Sequence, residues 1–107
     1  MNKTPDFIAA LQYLTTEQGG RKTPAFTNYF PQLKFKFSEY QCGGQQKFID
    51  KQVVNPGEHV TAEIALLSTE PFENKLNVGF EFDIKEGSKI VGTGIILQIL
   101  NERLIAQ

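Results

Sequence analysis

The sequence predicts an all-β fold, a small closed antiparallel β-barrel of about six strands. Apolar and polar residues alternate with a period of two along most of the chain, which is typical of strands with one buried face. Glycine, proline and asparagine clusters, among them Gly43–Gly44, are predicted to form turns between these short runs, as expected for a barrel or sandwich. The 107 residues are enough for a single domain. Only residues 101–107 predict a short helical turn.

Three internal runs alternate clearly enough to assign an inward face to each. The alternating positions are bulky and apolar, whereas the residues between them are mostly polar, as a strand over a core requires. The predicted inward residues are Leu33, Phe35 and Phe37; Val60, Ala62, Ile64 and Leu66; and Val78, Phe80, Phe82 and Ile84.

The first and last strands are apolar on both faces. Phe7, Ala9, Leu11 and Tyr13 form one face of the first strand, and Val91, Ile95, Leu97 and Ile99 form one face of the last. Strands of this kind are either central or covered by something else. Residues on the other sides of the strands are therefore candidates for a protein interface: Ile8, Leu14, Leu67, Ile90 and Ile96. Alternatively, the segment 102–107 folds back over them with Leu104 and Ile105.

Composition and single residues exclude several classes of function. Eleven basic residues against twelve acidic ones are a poor electrostatic match for a phosphate-binding protein. His59 and Cys42 are each the only residue of their kind, so neither suggests a triad or a metal centre. No phosphate-binding loop is present, and Gly92-x-Gly94 lacks a third glycine. We therefore expect no enzyme activity, cofactor, metal or nucleotide.

Three further features of the sequence favour a cytoplasmic protein. One cysteine permits no internal disulfide, the first six residues lack the apolar run of a signal peptide, and no apolar stretch is long enough to span a membrane.

Four motifs occur in the order in which they occur in one known family. They are Gly-Gly-Arg-Lys-Thr-Pro-Ala-Phe at 19–26 with Tyr-Phe-Pro-Gln at 29–32, Asn-Pro-Gly-Glu at 55–58, Phe-Asp-Ile-Lys-Glu-Gly at 82–87, and Val-Gly-Thr-Gly-Ile-Ile at 91–96. Together they resemble the C-terminal domain (domain 3) of elongation factor Tu over about residues 7–100. The resemblance implies an antiparallel barrel without the GTPase, spanning 1–107 as one domain with 101–107 as a C-terminal extension.

The resemblance also implies two kinds of surface. In the family this domain packs against sister domains and helps to hold aminoacyl-tRNA. Arg21, Gln32, Glu86 and Gly87 match residue types that contact the T stem, while Lys22 replaces a histidine. Lys34, with Lys36, extends a basic strip beside them. We therefore predict a non-catalytic interaction module that binds a protein partner, or itself, through barrel surfaces. The alternative is a translation-related accessory protein that contacts tRNA or another RNA.

Overall fold

A computed structural model describes residues 4–107 of the chain. Residues 1–3 lie outside the described part, and they belong to the N-terminal segment for which the sequence predicts no signal peptide. Within residues 4–107 the chain forms eight β-strands and two short 3₁₀ helices. The strands are β1 (Phe7–Tyr13), β2 (Ala25–Phe26), β3 (Gln32–Phe35), β4 (Gln41–Phe48), β5 (Val53–Val54), β6 (His59–Leu66), β7 (Glu81–Glu86) and β8 (Lys89–Ile99). The 3₁₀ helices are Glu70–Phe72 and Glu102–Leu104.

Six of these strands close into a barrel. Their order around it is β1-β6-β4-β3-β7-β8, every neighbouring pair is antiparallel, and β1 pairs with both β6 and β8. The two short strands β2 and β5 form a separate ribbon. The all-β prediction of a closed barrel of about six strands is confirmed.

Three phenylalanine rings form the centre of the core. Phe7, Phe35 and Phe82 are fully buried, and their ring centroids lie 5.3–6.1 Å apart in tilted and edge-on arrangements. Such aromatic contacts add to the free energy gained by burying the ring surface itself. The inward faces predicted for β1 and β6 are confirmed, since each of their predicted residues is at most 2% exposed.

Two alternating runs are shorter than the sequence predicts. β7 begins only at Glu81, because residues 77–80 form a turn in which the Phe80 amide donates to the Asn77 carbonyl and Gly79 has a φ of +90°. Val78, predicted to face inward, is 62% exposed as a result. Phe37, which follows the end of β3, is 49% exposed.

The pair Gly43–Gly44 is not a turn; it lies within β4. A Cβ atom at Gly43 would lie 2.7 Å from the Phe30 ring, and one at Gly44 would lie 2.6 Å from a methyl group of Leu33. Gly44 therefore leaves room for the buried Leu33 side chain and Gly43 for the partly exposed Phe30 ring, and neither glycine changes the direction of the chain.

The prediction that Ile96 lies on an exposed surface is wrong: it is 1% exposed and belongs to the core. The β7–β8 register shifts by one residue, with Ile84 opposite Gly92 but Lys85 opposite Ile90, so that Val91 is extra. The extra residue reverses the faces of the residues that follow it. Ile95 and Leu97 therefore point outward, where the sequence predicts that they point inward. A second register shift, against β1, leaves Leu97 unpaired between Ile96 and Gln98, so Ile99 packs against the core again.

The C-terminal segment folds back on the end of the barrel, as one of the two alternatives predicts. Leu104 is fully buried, and Ile105 bridges to Leu76. The buried carboxylate of Asp6 holds this end, accepting hydrogen bonds from the Leu66 amide at 2.8 Å and the Asn101 side chain at 3.0 Å. Ile105 itself remains 37% exposed, so the fold-back does not cover the outer surface of β8.

We expect Phe82→Ala to reduce the free energy of unfolding by about 3–5 kcal/mol, because it removes the central ring from a closed core. Phe26→Ala is the matched control, since Phe26 is 61% exposed. Urea denaturation followed by circular dichroism measures both. A loss below about 1 kcal/mol for Phe82→Ala would contradict the core position of this ring.

Candidate functional site

A polar cluster of Arg21, Tyr29 and Glu86 lies at the hairpin end of β7 and β8. Glu86 is the last residue of β7, and its carboxylate accepts hydrogen bonds from the Arg21 guanidinium and the Tyr29 hydroxyl. The guanidinium carbon also lies 4.6 Å from the centre of the Tyr29 ring. Further hydrogen bonds to the carbonyls of Thr23 and Pro24, each of 3.2 Å, complete the environment of Arg21.

The Arg21 side chain is engaged in contacts with residues of its own chain. Its side chain is 19% exposed, while that of Glu86 is 37% exposed. Burial acts to lower the pKa of Arg21, but the hydrogen bonds and charges of Tyr29 and Glu86 raise it overall. An incoming phosphate would have to compete with the carboxylate for the same donors.

A second tyrosine lies beneath this cluster. The Tyr13 hydroxyl donates to the Gln46 side-chain oxygen at 2.5 Å, and its ring lies 6.4 Å from that of Tyr29. Burial is the largest cause that raises the pKa of Tyr13, and it also raises the pKa of Tyr29. Gln46 is itself fully buried, and its amide nitrogen has no hydrogen-bond partner among residues 4–107.

An apolar surface lies at the opposite end of β7 and β8. We call it the β8 patch and define it as Phe37, Val78, Phe80, Leu97 and Ile105. Four of these side chains border one open groove of about 670 Å³, together with the uncharged side chains of Asn77 and Gln98. Phe37 joins the patch through its ring, 5.8 Å from that of Phe80. The centre of the β8 patch therefore carries no charge.

The comparison with protein families agrees with this barrel and its motifs. The model of the elongation factor Tu C-terminal domain matches residues 1–100. The chain belongs to this family. The resemblance drawn from the four sequence motifs is thereby confirmed, and the family identifies a translation-related domain. In elongation factor Tu this domain is a non-catalytic β-barrel.

The structure brings together most of the residues that resemble the tRNA contacts of elongation factor Tu. Gln32 pairs with Lys85, the neighbour of Glu86, and Gly87 forms the hairpin turn with a φ of +63°. Lys22 follows Arg21 in the chain and is exposed. These residues share one end of the barrel.

The predicted basic strip is partly neutralised in this member of the elongation factor Tu family. Lys34 lies 3.6 Å from the carboxylate of Glu39, and Lys36 lies 3.2 Å from that of Asp83. With Arg21 held by Glu86, each of these three cations has an acidic neighbour. The sequence contains the acids, but only the pairing of β3 with β7 places Lys36 beside Asp83.

The residues predicted for a protein interface do not form one surface. Ile8 and Leu14 are half-buried, Leu67 is 62% exposed and Ile90 is 42% exposed. Ile8 pairs with Gln98, eight residues along β8 from Ile90, which is a separation of about 26 Å. Ile96 is in the core, as described above. The sequence does not predict the β8 patch, because four of its members are assigned to the inward faces of strands and Ile105 to the C-terminal segment that folds back.

Two features are absent from residues 4–107. No helix in this part of the chain is long and apolar enough to cross a membrane. The same residues contain no group of three or more histidine, cysteine, aspartate or glutamate side chains placed to hold a metal ion.

We expect the raised pKa of Tyr13 to make the protein less stable in alkali. The unfolded state loses the phenolic proton at its usual pKa of about 10, whereas the folded state keeps it to higher pH. Stability from this group is therefore complete below pH ~10 and falls as the pH rises further. Urea unfolding over an alkaline pH series measures the slope.

Tyr13→Phe should flatten that slope, although it also lowers stability at neutral pH by leaving the Gln46 oxygen without its donor. Tyr40→Phe, at a position that is 44% exposed, is the matched control. If the free energy of unfolding falls with alkaline pH equally steeply in Tyr13→Phe and in the unaltered protein, Tyr13 is not the group responsible.

Proposed function

We propose that this elongation factor Tu-like domain is a non-catalytic interaction module that binds a protein partner through the β8 patch. The observation that supports this is the exposure of apolar side chains around one groove: Val78 is 62% exposed, Phe37 49% and Leu97 48%. Exposed apolar surface that is contiguous, and bordered by polar residues, is typical of protein interaction sites.

The size and composition of the β8 patch fit a protein partner. Its five side chains expose on the order of 400 Å², the range in which the largest patch of a soluble protein is often functional. The centres of protein interfaces are depleted of charge and enriched in aromatic residues, and the β8 patch has two phenylalanines and no charged member. A nucleic acid, by contrast, requires cations directed at phosphates.

The alternative, an accessory protein that contacts tRNA, rests on the residues around the polar cluster. Three of the cations it would use already have acidic neighbours, namely Arg21, Lys34 and Lys36. A phosphate contact made by any of these three cations would compete with an existing ion pair. We therefore favour the protein partner over the RNA.

A capture experiment tests the proposed function. The tagged protein is incubated with native lysate, with and without ribonuclease, and the retained proteins are identified by mass spectrometry. We expect a specific protein that ribonuclease does not release and that Leu97→Glu does release, because a buried charge in an apolar interface is costly. Ile49→Glu is the matched control, since Ile49 is 54% exposed but lies outside the β8 patch.

Two outcomes of the capture experiment would contradict the proposal. Retained proteins that depend on intact RNA would favour the alternative function. A retained protein that Leu97→Glu and Ile49→Glu affect equally would place the interface elsewhere on the barrel.

We expect tRNA to bind no more tightly than the non-specific micromolar range at physiological salt. Fluorescence anisotropy with labelled tRNA, repeated at several salt concentrations, measures both the affinity and its salt dependence. Arg21→Ala should change the affinity little, because Arg21 is held by Glu86. Tight tRNA binding that Arg21→Ala abolishes would instead support an RNA-binding protein.

A further inference from the structure

We infer that the β8 patch binds the β8 patch of a second copy of this chain, in a dimer with two-fold symmetry. This inference rests on the proposed function, because it names the partner of the same surface. In a two-fold interface the same surface of each copy faces the other. A surface whose centre carries charges of one sign would therefore be repelled by the second copy. The β8 patch avoids that repulsion, since Asn77 and Gln98 are its uncharged polar borders.

Charges of both signs at each end of the β8 patch favour the two-fold arrangement. Lys36 and Glu81 border a second groove, which adjoins the first at Phe80 and is lined by Phe37 and Phe80. At the other end, Glu102 and Arg103 are exposed on the 3₁₀ helix that precedes Ile105. A two-fold axis near Leu97 exchanges the two ends, so the exposed Glu81 of one copy faces the end of the other copy that carries Arg103, while Lys36 stays paired with Asp83 of its own chain. The net charge of −1 adds little repulsion between the copies.

The area also agrees with a dimer. Each partner in an interface of standard size buries about 800 Å². The apolar centre of the β8 patch supplies on the order of 400 Å², about half of that amount, and interfaces of this kind consist of an apolar core within a polar rim. Edge-to-edge strand pairing is not available to the six barrel strands, because each already has two neighbours, and the two strands of the β2–β5 ribbon are only two residues long. Association through a face of the barrel is the remaining geometry.

Sedimentation equilibrium of the purified protein over a wide concentration range tests the inference. We expect a monomer–dimer equilibrium in which Leu97→Glu and Val78→Glu each raise the dimer dissociation constant by at least about tenfold. Ile49→Glu should leave it unchanged. Both patch residues are substantially exposed in the monomer, so circular dichroism should show that the variants remain folded.

A label at position 78 tests the geometry independently of affinity. Because Cys42 is 3% exposed, Val78→Cys provides an accessible thiol that a spin label can modify selectively. We expect a single label-to-label distance that disappears when Leu97→Glu is added. A distance that survives Leu97→Glu would overturn the inference.

The other outcomes separate this inference from the proposed function. A dimer that neither patch variant weakens would overturn self-association through the β8 patch. A protein that stays monomeric at all concentrations would also overturn it. If that monomer still captures a cellular protein in a manner sensitive to Leu97→Glu, the proposed function stands; if Leu97→Glu has no effect on capture, both fail.

Discussion

The hydrogen-bonded closure of β1 against both β6 and β8 is the constraint on which the rest of the structure depends. Closure brings Phe7 of the first strand against Phe35 of β3 and Phe82 of β7. A closed barrel has a limited interior, so large rings require small residues opposite them. Gly94 meets this requirement, because a Cβ atom there would lie 2.3 Å from the Phe82 ring.

The sequence predicts the barrel and most of its core, because period-two alternation and bulky residues follow directly from a strand with one buried face. It does not predict the faces of β8. The extra residue at Val91 is set by the pairing with β7, a long-range contact that no local pattern records. Gly92 and Gly94 are the one local signal, since two alternate glycines beside bulky apolar residues indicate an inner face under large rings. The prediction of a turn at Gly43–Gly44 fails because a glycine pair can serve close side-chain packing within a strand as well as chain reversal, and the local sequence does not distinguish the two.

The polar cluster shows a similar limit in the candidate site. The sequence identifies Arg21 and Glu86 separately, through motifs at 19–26 and 82–87, and the resemblance assigns both to a nucleic acid. Only the folded chain places the guanidinium on the carboxylate and beside the Tyr29 ring. A contact made within the protein competes with a contact to a ligand, so the same residue types support stability here more directly than RNA binding. The residue type alone is therefore weaker evidence about ligand binding than knowledge of whether the charged side chain is already paired within the protein.

Closure and the extra residue at Val91 together determine which apolar side chains lie on the outer surface. A closed barrel offers no strand edge for pairing and the β2–β5 ribbon offers only edges two residues long, which favours the outer faces of the strands. On β8 the reversal after Val91 moves Leu97 outward, beside Val78 and Phe80, while it moves Ile96 into the core. Had the strand paired without the extra residue, Leu97 would point inward and the outer surface would present Ile96 instead. The apolar surface that we assign to protein binding is thus a direct consequence of how the last strand fits around the phenylalanine core.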